Sequence, residues 1–411
     1  MPRLPITAIR YPPTSAYLLP DRAALAPTAC ADTTWRGPAS AHQGTRRTMP
    51  MNRTADQPRV LFDAHQLGRR QTGNETYVRE VLRRLVLDTR FETVAAIEDR
   101  GRGEWAGTRV TRVPRCGALR LAALSAYPLV RSFDVVHAIY FLAPTPRAKT
   151  VLTVHDITFE RFPGFFSRSS LVRNRLLIRA SVAVADRVLT GSETIRAELV
   201  ETYRLDPARV IVIPYGVDPA FAPSTSPARA WELGDARRFR ILAVGALQPR
   251  KNLGRLLQAV ALAARRIPIE LRIIGPDGYM AQQIREMAGR NADCRLLGYL
   301  PQASLIEEYR AADLVAFPSV YEGFGLPVLE AMACGIPLLS TTGGSIPEVA
   351  GDAAILVDPY DVGAMAAAIE AIATSSAARQ DLRTRGLARA ATFSWDDCAR
   401  RHGDLYLELS S

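Results

Sequence analysis

Lysine is almost absent from this chain. Of its 411 residues 52 are basic, and only Lys149 and Lys251 among them are not arginine. Cysteine is scarce as well. Cys30, Cys116, Cys294, Cys334 and Cys398 are dispersed, with no CxxC pair and no Cys/His spacing that holds zinc. That excludes a disulfide scaffold and a zinc ribbon, and the odd, scattered set suits a reducing, cytoplasmic compartment. No run of 18 apolar residues offers a membrane-spanning helix. Asp-x-Asp and HExxH are missing, so a metal-dependent phosphate clamp is unsupported. Neither GxxxxGK[ST] nor GxGxxG follows a strand, which counts against an ATPase or a dinucleotide-dependent dehydrogenase. Aromatics make up only 7% and the arginines are spread out, which argues against a nucleic-acid interface.

What remains is an ordinary globular composition, 48% apolar and 23% charged, with a net charge of +11. Such a balance favours phosphate-rich partners, and the length favours two domains. Residues 1–57 lack periodicity and any apolar segment of signal-peptide length, so a disordered tail is expected there. From RVLFDA onward apolar strands alternate with helical segments, through TVAAI, DVVHAIY, TVLTVHDI, RVLTGS and RVIVIPYGVD. Strands that are apolar on both faces predict a parallel sheet covered by helices on both sides. This predicts a first doubly wound domain over 58–216 and a Pro/Ser/Ala-rich linker over 217–238. A second α/β series fills 239–393, with strands FRILAVGAL, IELRIIG, CRLLGYL, DLVAFPS and IPLLST. A final helix over 394–411 is expected to be capped by Ser394, with Asp397 three residues on. The fold class is therefore α/β, two doubly wound parallel-sheet domains facing a cleft, with ligands at the carboxyl ends of the strands.

Three segments carry candidate chemistry. In SVYEGFGLPVLE, Pro327 fits a first helical turn and Gly335 fits just past the helix end. Gly323 and Gly325 open the preceding loop to close backbone approach, beside a helix N-terminus that attracts phosphate. Glu322 and Glu330 would then accept hydrogen bonds from hydroxyls, or else be solvated or salt-bridged. In VGALQPRKNLGRLL, Arg250 and Lys251 lie between a strand and a helix, where they would clamp a diphosphate or simply face solvent. In LTVHDITF, His155 would donate to a sugar hydroxyl while Asp156 orients it or binds an acceptor. A structural hydrogen bond is the plainer role for His155, and for His137 it is the preferred one. Gly73 offers a close approach after the first strand. Ser345 and Glu348 in GGSIPEV form a capping-box pattern, sufficient to explain both.

Together these segments resemble the retaining glycosyltransferases of family 4. EGFGLPVLE, preceded by AFPS and followed by AMACGIPLLS, is similar to that family's signature of two glutamates with seven residues between them. TGNETY, DVVH, VHD, IPYGVD, VGALQPRKNL, GYLP, GGSIPEVAGDAA and FSW resemble it in the same order, over roughly residues 58 to 400. The resemblance implies a GT-B fold of two Rossmann-like domains, acceptor bound by the first and sugar nucleotide by the second. It also implies that no metal or cofactor is needed and that the last helix crosses back to the first domain. It places Glu322 on the donor sugar, Glu330 near the ribose, and the amides of Gly323, Phe324, Gly325 and Leu326 on sugar and phosphate. Arg250 and Lys251 match the diphosphate clamp, His155 the histidine beside the sugar, and Gly73 the glycine loop. Gly298, Tyr299 and Leu300 fall where the base is held. Two departures stand out: Ala246 follows Gly245 where many members carry arginine, and TGNETY replaces a glycine-isoleucine-glycine loop. The PRKN form resembles members that use GDP-mannose.

The implied activity is hexosyl transfer, mannose favoured, to a glycan or lipid-linked saccharide, as in bacterial surface polysaccharide synthesis. A nucleotide-sugar epimerase or phosphorylase is the alternative enzyme within this architecture, and a non-catalytic sugar-nucleotide binding protein, keeping the cleft but not the chemistry, is the alternative from another class. Residues 161–185 hold five arginines and no acid, interleaved with Phe and Leu. They read either as a surface for anionic lipid at the inner face of the plasma membrane, or as a core helix with solvated arginines.

Overall fold

The computed structural model describes residues 57–69, 73–98, 109–114, 117–225, 231–279, 281–290 and 293–411. The expected tail lies outside them but for Gln57, as does Thr72 of the TGNETY loop. The first half runs β1 (Arg59–Asp63), α1 (Gly73–Leu85), β2 (Glu92–Ile97), β3 (Arg109–Arg112), α2 (Gly117–Val130), β4 (Val135–Ile139) and β5 (Lys149–Thr153). It continues through α3 (Thr158–Arg161), α4 (Arg168–Val184), β6 (Arg187–Thr190), α5 (Glu193–Tyr203) and β7 (Val210–Val212). The second half runs β8 (Phe239–Val244), α6 (Leu253–Ala263), β9 (Ile269–Ile274), α7 (Ala281–Gly289), β10 (Cys294–Gly298), α8 (Gln302–Arg310) and β11 (Leu314–Phe317). It ends with α9 (Leu326–Ala333), β12 (Leu338–Thr341), α10 (Ile346–Ala350), β13 (Ile355–Val357), α11 (Val362–Thr374), α12 (Ser376–Ala390) and α13 (Trp395–Ser410).

The strands form two parallel sheets, ordered β3-β2-β1-β4-β5-β6-β7 and β10-β9-β8-β11-β12-β13. Both are the Rossmann order, whose direction reverses between β1 and β4 and again between β8 and β11. Central strands β4 and β11 are buried at every residue, which is why they read as unbroken apolar runs. β3 and β13, which the apolar pattern did not reveal, are edge strands. RVTR keeps one buried residue and alternates apolar with charged or polar side chains, and ILV, though apolar, is a half-buried triplet too short to stand out as a strand.

The expected linker is only partly a tether. Trp231 is fully buried against Phe239, donates its indole N–H to the Arg237 carbonyl, and accepts Arg379 on its own carbonyl. That stretch is therefore part of the second domain's core. The last helix begins where Ser394 Oγ accepts the amides of Asp396 and Asp397, and Ser394 pairs with Val217 in a parallel bridge. From there α13 packs on α1 and β4 of the first sheet. Its His402 Nε2 and Tyr77 hydroxyl meet at 2.8 Å, and its Tyr406 hydroxyl meets His137. His137, bonded also to Thr153 Oγ1, is thus a buried structural residue. Burial holds its pKa well below the usual imidazole range, and the nearby His402 and His155 add to this.

Candidate functional site

The loops that leave β8 and β11 meet at the second sheet's reversal point, where doubly wound folds gather ligands. After β8 the chain makes a single 3₁₀ turn, Pro249–Lys251, ended by Asn252 in the left-handed region. After β11 it runs through Pro318–Gly325 into α9. The two loops are tied by backbone: Val320 N–H donates to the Arg250 carbonyl at 2.9 Å. Arg250 Nη1 donates to the Tyr321 carbonyl at 2.9 Å and lies 2.6 Å from Glu322 Oε2. Lys251 Nζ donates to Glu322 Oε1 at 2.7 Å and sits 4.6 Å from the centre of the Phe317 ring.

Two cations thus face one carboxylate, with Lys251 and Glu322 buried and Arg250 partly exposed. Burial by itself would push the Glu322 carboxyl up, but the charges of Arg250 and Lys251 overcome it and bring the pKa down to about 2. Burial lowers the pKa of Lys251, with Glu322 opposing. For Arg250 burial acts downward, and Glu322 and Asp156 more than offset it. The cluster keeps one surplus positive charge and a surplus of donors, which suits a diphosphate.

The first domain brings its own strand ends to the same place. His155 and Asp156 follow β5, and a Cβ on Gly323 would lie 2.0 Å from the His155 carbonyl oxygen. Gly323 is therefore required for contact between the domains. The glycine read from sequence as an opening for a ligand is filled by backbone of the other half. Ser192 Oγ donates to the Gly323 carbonyl at 3.1 Å, closing the same seam. Asp156 Oδ1 accepts Thr158 N–H and Oγ–H, which fixes it at the start of α3. Gly73 opens α1, with Leu326 3.8 Å from where its Cβ would stand.

Other expected residues take different places. The Phe324 side chain is core, 4.6 Å from the Tyr215 ring centre, and Leu326 is buried too. Gly325 is the N-cap of α9 in the left-handed region. Gly298 ends β10, two strands from β8, and Tyr299 and Leu300 follow it, with Tyr299 half exposed. The capping box is not formed. Ser345 gives no side-chain cap; its N–H and Oγ both donate to the Glu322 carbonyl at 3.0 Å, so it props the Glu322 loop. Glu348 crosses the seam instead. Its carboxylate accepts Glu193 N–H at 2.7 Å and Thr194 N–H at 2.9 Å, capping α5 of the other domain. The pattern was local and legible, but a partner in the other half won it.

Two residues escaped the motif search. Tyr140, at the end of β4, holds φ 64° and lies edge-on to His155. A positive φ at a tyrosine marks a built conformation, though no spacing in DVVHAIY announces it. Tyr215 reaches His155 from the segment after β7.

Glu330 stands apart from Glu322. It accepts the Tyr309 hydroxyl at 2.7 Å on the second turn of α9. Burial raises its pKa from 4.5 to about 7, opposed by the Tyr309 hydrogen bond and the Lys251 charge. Because the folded pKa is the higher one, folding stability declines as pH rises from about 4.5 to about 7. Glu330→Gln removes the charge and keeps the acceptor for Tyr309. Its Tm should match the parent at pH 5 and exceed it by a few degrees at pH 8, read by thermal unfolding of the empty protein. Equal Tm values at pH 8 would show that the carboxylate carries no such burden.

A concavity of about 960 Å³ lies at the opposite ends of the strands, lined by Arg237, Arg238, Arg240, Arg272, Arg295 and Arg310. Asp313, Asp293 and Glu270 pair with its arginines, so it is an ion-pair network remote from the loops above. Among the described residues no three His, Cys, Asp or Glu cluster to hold a metal ion.

Known proteins agree with this layout. Residues 72–221 match the model of Glycosyltransferase Family 4, and residues 230–389 match Glycosyl transferases group 1. The O-antigen chain mannosyltransferase B of Escherichia coli is 32% identical over 287 residues, 66% of this chain and 74% of that one. A D-inositol 3-phosphate glycosyltransferase of Geodermatophilus obscurus is 36% identical over 232 residues, and the chain spans about half its length, 51%. Among solved structures, sucrose-phosphate synthase from Thermosynechococcus elongatus superposes with a TM-score of 0.70 at 19% identity, covering 86% of this chain and 99% of that one. HepE of Anabaena, in complex with UDP and glucose, gives 0.68 at 18%, covering 85% and 100%. Those two identities speak for the fold alone. With two Rossmann-ordered sheets, both family models in register and a relative covered over most of its length, the chain belongs to the group 1, family 4 glycosyltransferases of GT-B fold.

Proposed function

We propose that this glycosyltransferase moves a hexose, mannose favoured, from a nucleoside diphosphate sugar to a glycan or lipid-linked saccharide, with retention and without a metal. The observation that carries this is the largely buried Arg250–Lys251–Glu322 cluster at the reversal point of the second sheet. Arg250 offers a planar fork and Lys251 a compact charge, and both suit the diphosphate that leaves. Two cations from the chain supply the charge a divalent ion would otherwise bring. In the retaining step the bond from C1 to the diphosphate oxygen breaks, and the acceptor oxygen bonds C1 on the same face. The acceptor's proton passes to the departing diphosphate. Glu322 and His155 then hold the sugar and need not bond to it, so positioning and charge stabilisation do the chemistry. Glu330 and the Gly298–Leu300 segment are assigned to ribose and base, and the backbone amides from Gly323 to Leu326 to sugar and phosphate.

Mannose, as GDP-mannose, is favoured because the Escherichia coli relative is named a mannosyltransferase and the PRKN turn resembles GDP-mannose users. Thermal-shift titration with GDP-mannose, UDP-glucose and dTDP-sugars tests it. GDP-mannose should raise Tm most, and stabilisation by a UDP-sugar alone would replace mannose in the assignment.

The acceptor reading extends to a surface. The inner face of α4, with Ile178, Ser181 and Val182, is buried, so part of this helix is core. Its outer face exposes Val172 (57%), Leu176 (66%) and Val184 (41%) among Arg168, Arg173 and Arg179. Apolar contact plus positive charge fits peripheral docking on anionic lipid on the cytoplasmic side. In flotation at low salt the protein should rise with phosphatidylserine-containing vesicles and not with neutral ones. Leu176→Glu should abolish the effect, and an unbound parent protein would end the lipid reading.

A further inference from the structure

Tyr215 sits where three parts of the molecule converge. Its ring centre is 4.6 Å from Phe324 of the Glu322 loop and 4.9 Å from Tyr77 of α1. It stacks at 12° on Trp395, the first residue of α13. Gly191 makes room for it, since a Cβ there would lie 2.9 Å from Tyr215 Cζ. The hydroxyl lies 2.5 Å from His155 Nδ1, and this is its one hydrogen bond among the described residues. His155 is buried, and its Nε2 has no partner there.

This arrangement chooses between the imidazole tautomers. If Nδ1 carried the hydrogen it would donate to the Tyr215 oxygen. The phenol hydrogen would then have no acceptor, and the Nε2 lone pair would have no donor. If instead Tyr215 donates to Nδ1, the hydrogen sits on Nε2 and only that N–H is unmet. Buried polar groups avoid being orphaned, so one unmet group is preferred over two. Burial keeps both partners in the neutral forms this requires. It brings His155 down to about 3 and holds the Tyr215 phenol well above its usual range, with Tyr77 and Tyr140 adding to the latter.

We propose that Tyr215 is a positioning residue: its hydroxyl locks His155 as the Nε2–H tautomer and leaves that N–H as the donor offered to the transferred sugar. The part concerning the sugar rests on the function proposed above; the tautomer does not. Because Phe324 and Trp395 hold the Tyr215 ring, the lock is made where the two domains and the last helix touch. A domain separation that withdrew Phe324 would loosen it.

The chain has 5 histidines, so imidazole ¹⁵N labelling gives a tractable spectrum, and His155→Gln identifies the His155 signals by their loss. In the ligand-free parent, Nδ1 of His155 should be pyridine-like and Nε2 pyrrole-like. Tyr215→Phe keeps the ring and its stacking, should unfold within a few degrees of the parent, and should show the other tautomer or an average. Turnover in the variant should fall by about 10–100-fold, as when the group orienting a functional imidazole is lost, with KM for the donor within twofold. A pyrrole-like Nδ1 in the parent, or an unchanged tautomer in Tyr215→Phe, would overturn the lock. A shifted tautomer with unchanged turnover would overturn its role in transfer. The spectra are read without any substrate, so a mistaken donor assignment cannot imitate either tautomer outcome.

Discussion

Lys251→Ala should fold, bind its nucleotide sugar at least tenfold more weakly and turn over about a thousandfold more slowly. The reason is the position of the ammonium. It is buried, 2.7 Å from Glu322 Oε1, and with Arg250 it forms the charge that would meet a diphosphate. Removing a preorganised donor from a water-excluded site commonly costs factors of 10²–10³ in turnover, and here a full charge is lost as well. Stability should fall too, by about 2 kcal/mol, because Glu322 keeps only Arg250 as a cationic partner. In a double variant, Lys251→Ala with Glu322→Gln leaves Arg250 without its carboxylate, so Tm should fall further while turnover stays low. Calorimetry, donor titration and initial rates on the parent and the two variants make the check. Normal donor affinity in Lys251→Ala would remove it from the clamp.

Gly323→Ala is the second large expectation, and it acts through shape. Its new Cβ would meet the His155 carbonyl oxygen at 2.0 Å and Asp156 Cβ at 2.8 Å. Neither contact is with a flexible side-chain end, so the Glu322 loop and the strand end carrying His155 must part. Ser192 would lose its bond to the Gly323 carbonyl, and Glu348 its place on the α5 amides. Each domain keeps its own core, so circular dichroism should be unchanged. Turnover should drop by about a hundredfold or more, since misplacing reacting groups by an ångström has that effect. Small-angle scattering should report a larger radius of gyration. A compact protein with parental rates would mean that the two strand ends need not touch during transfer.

The comparison of sequence and structure is sharpest at four residues. Ser394 was legible because a cap is local: its oxygen accepts amides two and three residues on. Glu348 showed the same kind of signal and was misread. Its carboxylate finds better donors 155 and 154 residues away, at an α5 terminus that sequence cannot place beside it. Glu322 stands out in the sequence, but the sequence leaves open whether it is solvated or paired. Lys251, 71 residues distant, decided that. Tyr215 lies in the IPYGVD segment, but nothing in that segment singles the tyrosine out.

The sequence alone determined what depends on neighbours along the chain. Apolar runs marked the central strands, glycine and proline marked the loops at their ends, and the order of the motifs indicated the family. Edge strands β3 and β13 escaped because RVTR has no apolar run and ILV is only three residues long. Only the tertiary structure decided which loops meet. Strand order sets β8 beside β11 and so Lys251 against Glu322, and contact between the domains sets Gly323 against His155. Those contacts join residues whose separation far exceeds any period of helix or strand, and local periodicity holds no record of them.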